Sequence, residues 1–338
     1  MAAIGMDVGT YNMVCAHRKE NNKIAFKREV NAFMELSLDK FVFNMMKNAG
    51  VPLIEDKENK VFYALGESAV EMAYTMNEIE LRRPMKDGCL NPKERRAQEI
   101  MSVMMHGLID FAQPGDTLFY SVPANAINEE TDAEYHGMIL RKIFSDMKDE
   151  NEQNMKLKIF EIHEGLALVY AELAEKKWTG IGVSCGAGMV NVSMGIQGAP
   201  VFNFSLVNSG DWIDKQASRA IGEDTTSFVN KEKMKVDLTQ ESDEFVQRAI
   251  KAQYEIMIQK TIKGIKKGLE QAGNKARTSD PVDIVVSGGT SSPKGFPQMF
   301  KKQLEEVVLP IKVGNIIRPK DPLYSVARGC LIAAENAY

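Results

Sequence analysis

Metal-ligand spacing is what this sequence most plainly lacks. Its four cysteines, Cys15, Cys89, Cys185 and Cys330, lie far apart and form no CxxC pair. Zinc-ribbon and redox-motif readings are thereby excluded, and free thiols in a reducing compartment are expected. The four histidines, His17, His106, His136 and His163, show no ligand spacing and suggest no Ser–His–Asp set, so a structural role is expected for them. No apolar run approaches the roughly 20 residues that span a bilayer. The longest, GLALVYAELA at 165–174, reads as a buried helix. The chain does not open on a basic region followed by an apolar one, so a secretory leader is not expected. Charge of one sign is missing too: 42 Lys and Arg against 46 Asp and Glu give a net charge of −4. That balance supports neither a nucleic-acid partner nor a membrane-surface role. No membrane insertion, no direct nucleic-acid binding and a cytoplasmic location are the resulting expectations.

The 338 residues that are there, 44% hydrophobic and 26% charged, suit a globular protein of two domains. Twenty methionines are unusual, and pairs such as Met45–Met46 and Met104–Met105 in helix-like segments read as core filling. Short apolar runs split by turn residues predict hairpin strands over 3–32, and KVFYALG predicts another short strand. Spacings of three and four among Ile100, Val103, Met104, Leu108 and Phe111 predict a helix. TLFYSVPA is a buried strand stopped by Pro123, followed by a helix that Asn128 could cap. The pattern then restarts: strand LKIFEIHE, helix 164–176, and a glycine-punctuated meander over 179–206. A long amphipathic helix follows over 242–272, then the apolar strand VDIVVSGG, a helix near 296–306 and a last helix over 323–337. Each half has meander strands followed by strand–helix units, which argues an α/β protein of two similar domains.

Three glycine turns punctuate this order. Asp7–Val8–Gly9–Thr10 could form a nest whose amides bind phosphate, and Asp7 beside a polyphosphate makes electrostatic sense with a hydrated Mg²⁺ between them. A plain hairpin with a surface Asp is the competing reading. Gly186–Ala187–Gly188 allows close backbone approach to a ligand, but lacks the third glycine of GxGxxG and leads into a strand. Ser287–Gly288–Gly289–Thr290 joins a buried strand to a helix, a junction that suits a phosphate or a flat ring but is more often structural.

In this order and at these separations the three turns resemble the phosphate, phosphate and adenosine motifs of the actin-like ATPase superfamily. LRRPMKDGCL at 81–90, SVPANAINEE at 121–130, NSGDWID at 208–214 and PLYSVARGCLIAA at 322–334 resemble segments of its MreB-type and MamK-type filament actins. The resemblance covers nearly the whole chain. It implies an α/β actin-like ATPase fold: two duplicated ribonuclease H-like domains around a nucleotide cleft. Domain I would cover 1–160, with a small inserted subdomain at 34–82 and the C-terminal helix 323–338 packing back on it. Domain II would cover 161–322, with a helical subdomain at about 213–281.

The resemblance also implies ATP and Mg²⁺. Asp7 would hold the metal's water shell. Backbone of Gly9, Thr10, Tyr11 and Asn12, and of Gly186, Ala187 and Gly188, would hold the phosphates, and Gly288, Gly289 and Thr290 would lie against adenine and the α-phosphate. Glu232 and Lys235 match a Glu-x-x-Lys pair that contacts the nucleoside, with an ordinary surface ion pair as the competing reading. Glu130 or Glu129, on the helix after the Val–Pro turn, would orient the attacking water. Ser184 departs from the family's Asp, and Val190 and Asn191 replace its usual Thr and Asp; losing a carboxylate near the metal is expected to slow hydrolysis. The function implied is a cytoplasmic filament of copies of this chain, with adaptor proteins as possible partners, in organelle positioning or DNA segregation. A monomeric ATPase or kinase of the same fold is the alternative.

Overall fold

In the computed structural model, residues 2–75, 80–149, 151–223 and 225–337 are described. Residues 76–79 of the expected 34–82 insertion, and residue 338 of the expected last helix, lie outside them. Two five-stranded sheets organise the molecule. In the first, Ala3–Val8, Asn12–Arg18 and Ile24–Val30 form an antiparallel meander, and Ala3–Val8 pairs in parallel with Thr117–Val122, which pairs in parallel with Lys158–His163. The second repeats the plan. Gly180–Cys185, Val190–Ile196 and Ala199–Leu206 form the meander, and parallel strands Val282–Ser287 and Val313–Ile317 extend it. Every residue of Gly180–Cys185 and Val282–Ser287 is buried, which explains why these strands are written without polar alternation.

Helices Glu164–Glu172 and Ser325–Glu335 lie between the two sheets. Small residues set their spacing. A Cβ on Gly329 would lie 1.8 Å from the Ala167 carbonyl oxygen, one on Gly5 2.2 Å from the Leu331 nitrogen, and one on Gly182 2.0 Å from the Gly165 carbonyl oxygen. The seam therefore runs from the first sheet through both helices to the second with backbone nearly touching backbone. The closing helix packs on both the strand Ala3–Val8 and the helix Glu164–Glu172.

Two additions flank the sheets. A four-stranded sheet of Phe33–Ser37, Leu53–Asp56, Val61–Leu65 and Leu81–Arg82 carries helices Lys40–Asn48 and Gly66–Thr75 and has its own small core around Met34, Leu36 and Phe62. Helices Gly210–Ile221, Ser227–Lys233 and Phe245–Ala272 cover the second sheet. The apolar stripe of Phe245–Ala272 is buried at Ile250, Tyr254, Ile258, Ile262, Ile265 and Leu269, as its periodicity requires. Lys260 on this helix turns to Asn208 Oδ1 (3.2 Å) and the Trp212 ring. The helix after Pro123 starts later than the sequence suggests. It runs Ala133–Ser145, and its cap is Asp132, whose carboxylate accepts from the Tyr135 amide, not Asn128.

The seam yields a stability prediction. Gly329→Ala, which drives a methyl group into the Ala167 carbonyl, should destabilise the fold by about 1–3 kcal/mol in denaturant unfolding.

Candidate functional site

The two hairpin turns are built alike. Gly9 N–H donates to the Asn12 carbonyl (3.1 Å) and Gly186 N–H to the Met189 carbonyl (2.9 Å). These two amides close their own turns. The tips remain at Thr10 and at Ala187–Gly188. The tips meet: a Cβ on Gly188 would lie 2.4 Å from Thr10 Oγ1 and 2.4 Å from the Gly88 amide nitrogen. Gly9 and Gly186 thus belong to one junction, roofed by the 81–90 segment.

The third glycine turn braces the second. Gly288 has φ +92°, and a Cβ there would lie 2.4 Å from the Cys185 carbonyl oxygen, so only glycine fits. Thr290 Oγ1 donates to the Gly186 carbonyl at 2.7 Å, as do Ser209 Oγ at 2.5 Å and the Gly210 amide at 3.2 Å. Gly289 is open, with nothing within 4 Å of where its Cβ would stand. The segments expected to carry the nucleoside and the phosphates are therefore bonded to one another.

Beneath the tips lie two carboxylates. Asp7, at the end of the first strand, accepts from Ser121 Oγ (2.8 Å), which in turn accepts from the Val8 amide (3.0 Å). Glu164 opens the seam helix and accepts from Ser184 Oγ (2.8 Å) and from the Asn191 side chain. Burial pushes Asp7 up to about 6, against the opposing pull of the Ser121 hydrogen bond. Burial pushes Glu164 up to about 8, the negative charge of Asp7 adds to the rise, and the Ser184 and Asn191 donors oppose it. Sequence reasoning missed Glu164. The available signal was an acid at the head of a helix otherwise apolar enough to read as buried.

Ser184, where the family pattern has Asp, and Asn191 are thus both neutral donors to one carboxylate. The donor set suits a hydrated Mg²⁺: two hard carboxylates repel each other there, and such a cation takes one or two of them and fills its shell with water and phosphate. Among the described residues no cluster of three or more His, Cys, Asp or Glu forms a self-contained metal cage.

Other expected site residues stand apart. Glu129 and Glu130 are exposed in the loop before Ala133–Ser145, lining a surface depression with Asn125 and Asp132. Glu232 sits in Ser227–Lys233, but Lys235 lies beyond its end, and the two pair with each other at 2.7 Å. The lysine that reaches inward is Lys233, 2.6 Å from the buried Asp214. Tyr11 is exposed, and Asn12 carries a buried Oδ1 without a hydrogen-bond partner in the protein.

Two like sheets, each offering a glycine turn to one junction, define the actin-like ATPase fold. Among solved structures, a MamK double helical filament aligns over 98% of both chains with a TM-score of 0.71 at 19% identity. MreB 5 of Spiroplasma citri bound to AMPPNP aligns over 99% of this chain and 96% of its own, with a TM-score of 0.68 at 14% identity. The ethanolamine utilization protein EutJ of Carboxydothermus hydrogenoformans aligns over 98% and 90%, with a TM-score of 0.50 at 16% identity. At such identities the likeness is one of fold. The chain itself belongs to the Volactin family, whose model matches residues 1–334. No curated protein matches the sequence significantly.

The two carboxylates make stability depend on pH. Both bind protons more tightly folded than unfolded, so the folded state holds more protons and loses stability as pH rises through their folded values. The melting temperature of the nucleotide-free protein should therefore fall between about pH 5 and pH 8. Glu164→Gln should flatten that slope.

Proposed function

We propose that this chain binds ATP with Mg²⁺ between its two lobes, hydrolyses it slowly, and assembles with copies of itself into cytoplasmic filaments. The observation that carries the reading is the junction of the Thr10 and Gly188 tips above Asp7 and Glu164. Main-chain groups of Thr10, Tyr11, Asn12, Ala187 and Gly188 flank the phosphates. Gly288, Gly289 and Thr290 lie on the nucleoside side. Asp7 holds the metal's water shell. Bound Mg²⁺ supplies the charge that offsets the phosphate oxygens.

Glu164 takes the role that the resemblance offered to Glu129 or Glu130: it accepts a hydrogen bond from the attacking water and holds it in line. Its support is placement, since Glu164 shares the junction with Asp7 whereas Glu129 and Glu130 face solvent. Slow turnover is favoured because Ser184 brings a hydroxyl and no charge. Self-association is favoured by the fold shared with a MamK filament. It is also favoured by the inserted sheet's helix Lys40–Asn48, which buries none of its residues and exposes Phe41 at 72% and Met45 at 59%. Among the described residues no helix is long and apolar enough to cross a membrane.

Light scattering and negative-stain microscopy with and without ATP–Mg²⁺ test this reading. Nucleotide-dependent filaments are expected; a persistent monomer that phosphorylates a small molecule would replace it with a kinase. Asp7→Ala should abolish Mg²⁺-dependent nucleotide binding in a titration with a fluorescent ATP analogue. Glu164→Gln should retain binding and lower turnover by about 10²-fold or more. Phe41→Glu with Met45→Glu should suppress scattering while leaving nucleotide affinity unchanged.

A further inference from the structure

The hydrogen bonds that end on Glu164 begin in the other lobe. Ser205, fully buried in the edge strand Ala199–Leu206, is bound on both sides by the loop that follows Pro123. Its amide donates to the Asn125 carbonyl (3.1 Å), and its carbonyl accepts from the Ile127 amide (2.9 Å). Its hydroxyl accepts from the Ala124 amide (3.0 Å) and donates to Asn191 Oδ1. Asn191 is paired across the hairpin from Ser184, whose hydroxyl donates to Glu164 at 2.8 Å, and its own side chain faces the same carboxylate.

Each link has a fixed direction. A main-chain N–H only donates, so the Ser205 oxygen accepts from Ala124, and its hydrogen goes to Asn191 Oδ1. With its oxygen so occupied, Asn191 must present nitrogen to Glu164. Without the Ala124 link, the Ser205 hydroxyl loses a donor and is free to rotate away, and the Asn191 amide is then held from the Glu164 side alone. Ala124, Ser205 and Asn191 are all buried, where an unpaired group is costly.

We propose that Ser205 and Asn191 are positioning residues that aim the Glu164 carboxylate, and that the contact between the 124–127 loop and Ser205 sets this aim, so hydrolytic geometry is complete only when the lobes are joined there. The inference rests on the reading of Glu164 as the group that orients water.

The full-length chain carrying Ser205→Ala, Asn191→Ala, Glu164→Gln or the Ser205→Ala/Glu164→Gln pair tests it, by steady-state ATP hydrolysis. Ser205→Ala and Asn191→Ala should each lower saturating turnover about tenfold with KM moved less than about twofold. Ser205→Ala should cost nothing further in the Glu164→Gln background. Independently of activity, hydrogen exchange of the Ala124 amide in the nucleotide-free protein should quicken at least about tenfold in Ser205→Ala. If Glu164→Gln is slow but Ser205→Ala and Asn191→Ala turn over normally, the relay is overturned alone. So it is if Ser205→Ala costs the same factor in both backgrounds. Normal turnover in Glu164→Gln overturns the reading of Glu164, and a wild type that does not hydrolyse ATP overturns both.

Discussion

The proximity of two half-buried carboxylates is the constraint around which the rest is arranged. Asp7 lies at the end of one strand of the first sheet, Glu164 opens the helix that follows that sheet's strand Lys158–His163, and the charge of Asp7 raises the cost of charging Glu164. Such a pair persists only where neutral donors surround it or a cation joins it. The chain supplies the donors: Ser121 on one side, Ser184 and Asn191 on the other. Ser184 and Asn191 look like losses when set against a family pattern of acids. In the structure they are the two groups that hold Glu164, and a third carboxylate would crowd a place already rich in negative charge.

The two lobes are joined in three physically different ways. At the bottom, the glycine seam lets helices Glu164–Glu172 and Ser325–Glu335 lie backbone to backbone. Above the carboxylates, Arg83 Nη2 bonds Asp211 Oδ2 at 2.8 Å, linking the 81–90 segment to the helix braced on the second turn. Beside them, the loop after Pro123 adds itself to the edge strand at Ser205, and Asn128 reaches Asn208 at 2.7 Å. An edge strand presents unpaired amides and carbonyls, and this loop covers them. The seam is apolar and fixed by shape, whereas the other two ties are polar and exchangeable. A molecule that opens and closes around a ligand would break the second kind and keep the first.

Much of this was legible in the chain. The repeated hairpin, the apolar strands and the long amphipathic helix follow from period and turn chemistry, because main-chain geometry restricts which residues can sit at a tight turn or on a buried face. The helix after Pro123 was legible in existence but not in start, since Asn128 and Asp132 are both acceptable caps and only the bonding of Asn128 to the second lobe decides between them. Glu129 and Glu130 matched a motif by position, yet a few residues of loop moved them to the surface. Lys235 matched a spacing, yet the helix ends before it and Lys233 takes the inward contact.

By itself the sequence determined local form: where strands alternate, where glycine is required, which faces are apolar, and that one plan occurs twice. These are consequences of backbone sterics and of side chains a few residues apart. Tertiary structure alone decided which polar groups meet. Asp7 and Glu164 are far apart in sequence, as are Ala124 and Ser205, and no periodicity encodes their contact. Asp7 and Glu164 meet because their strands lie in one sheet, and Ala124 meets Ser205 because the glycine seam holds the two sheets at the right distance.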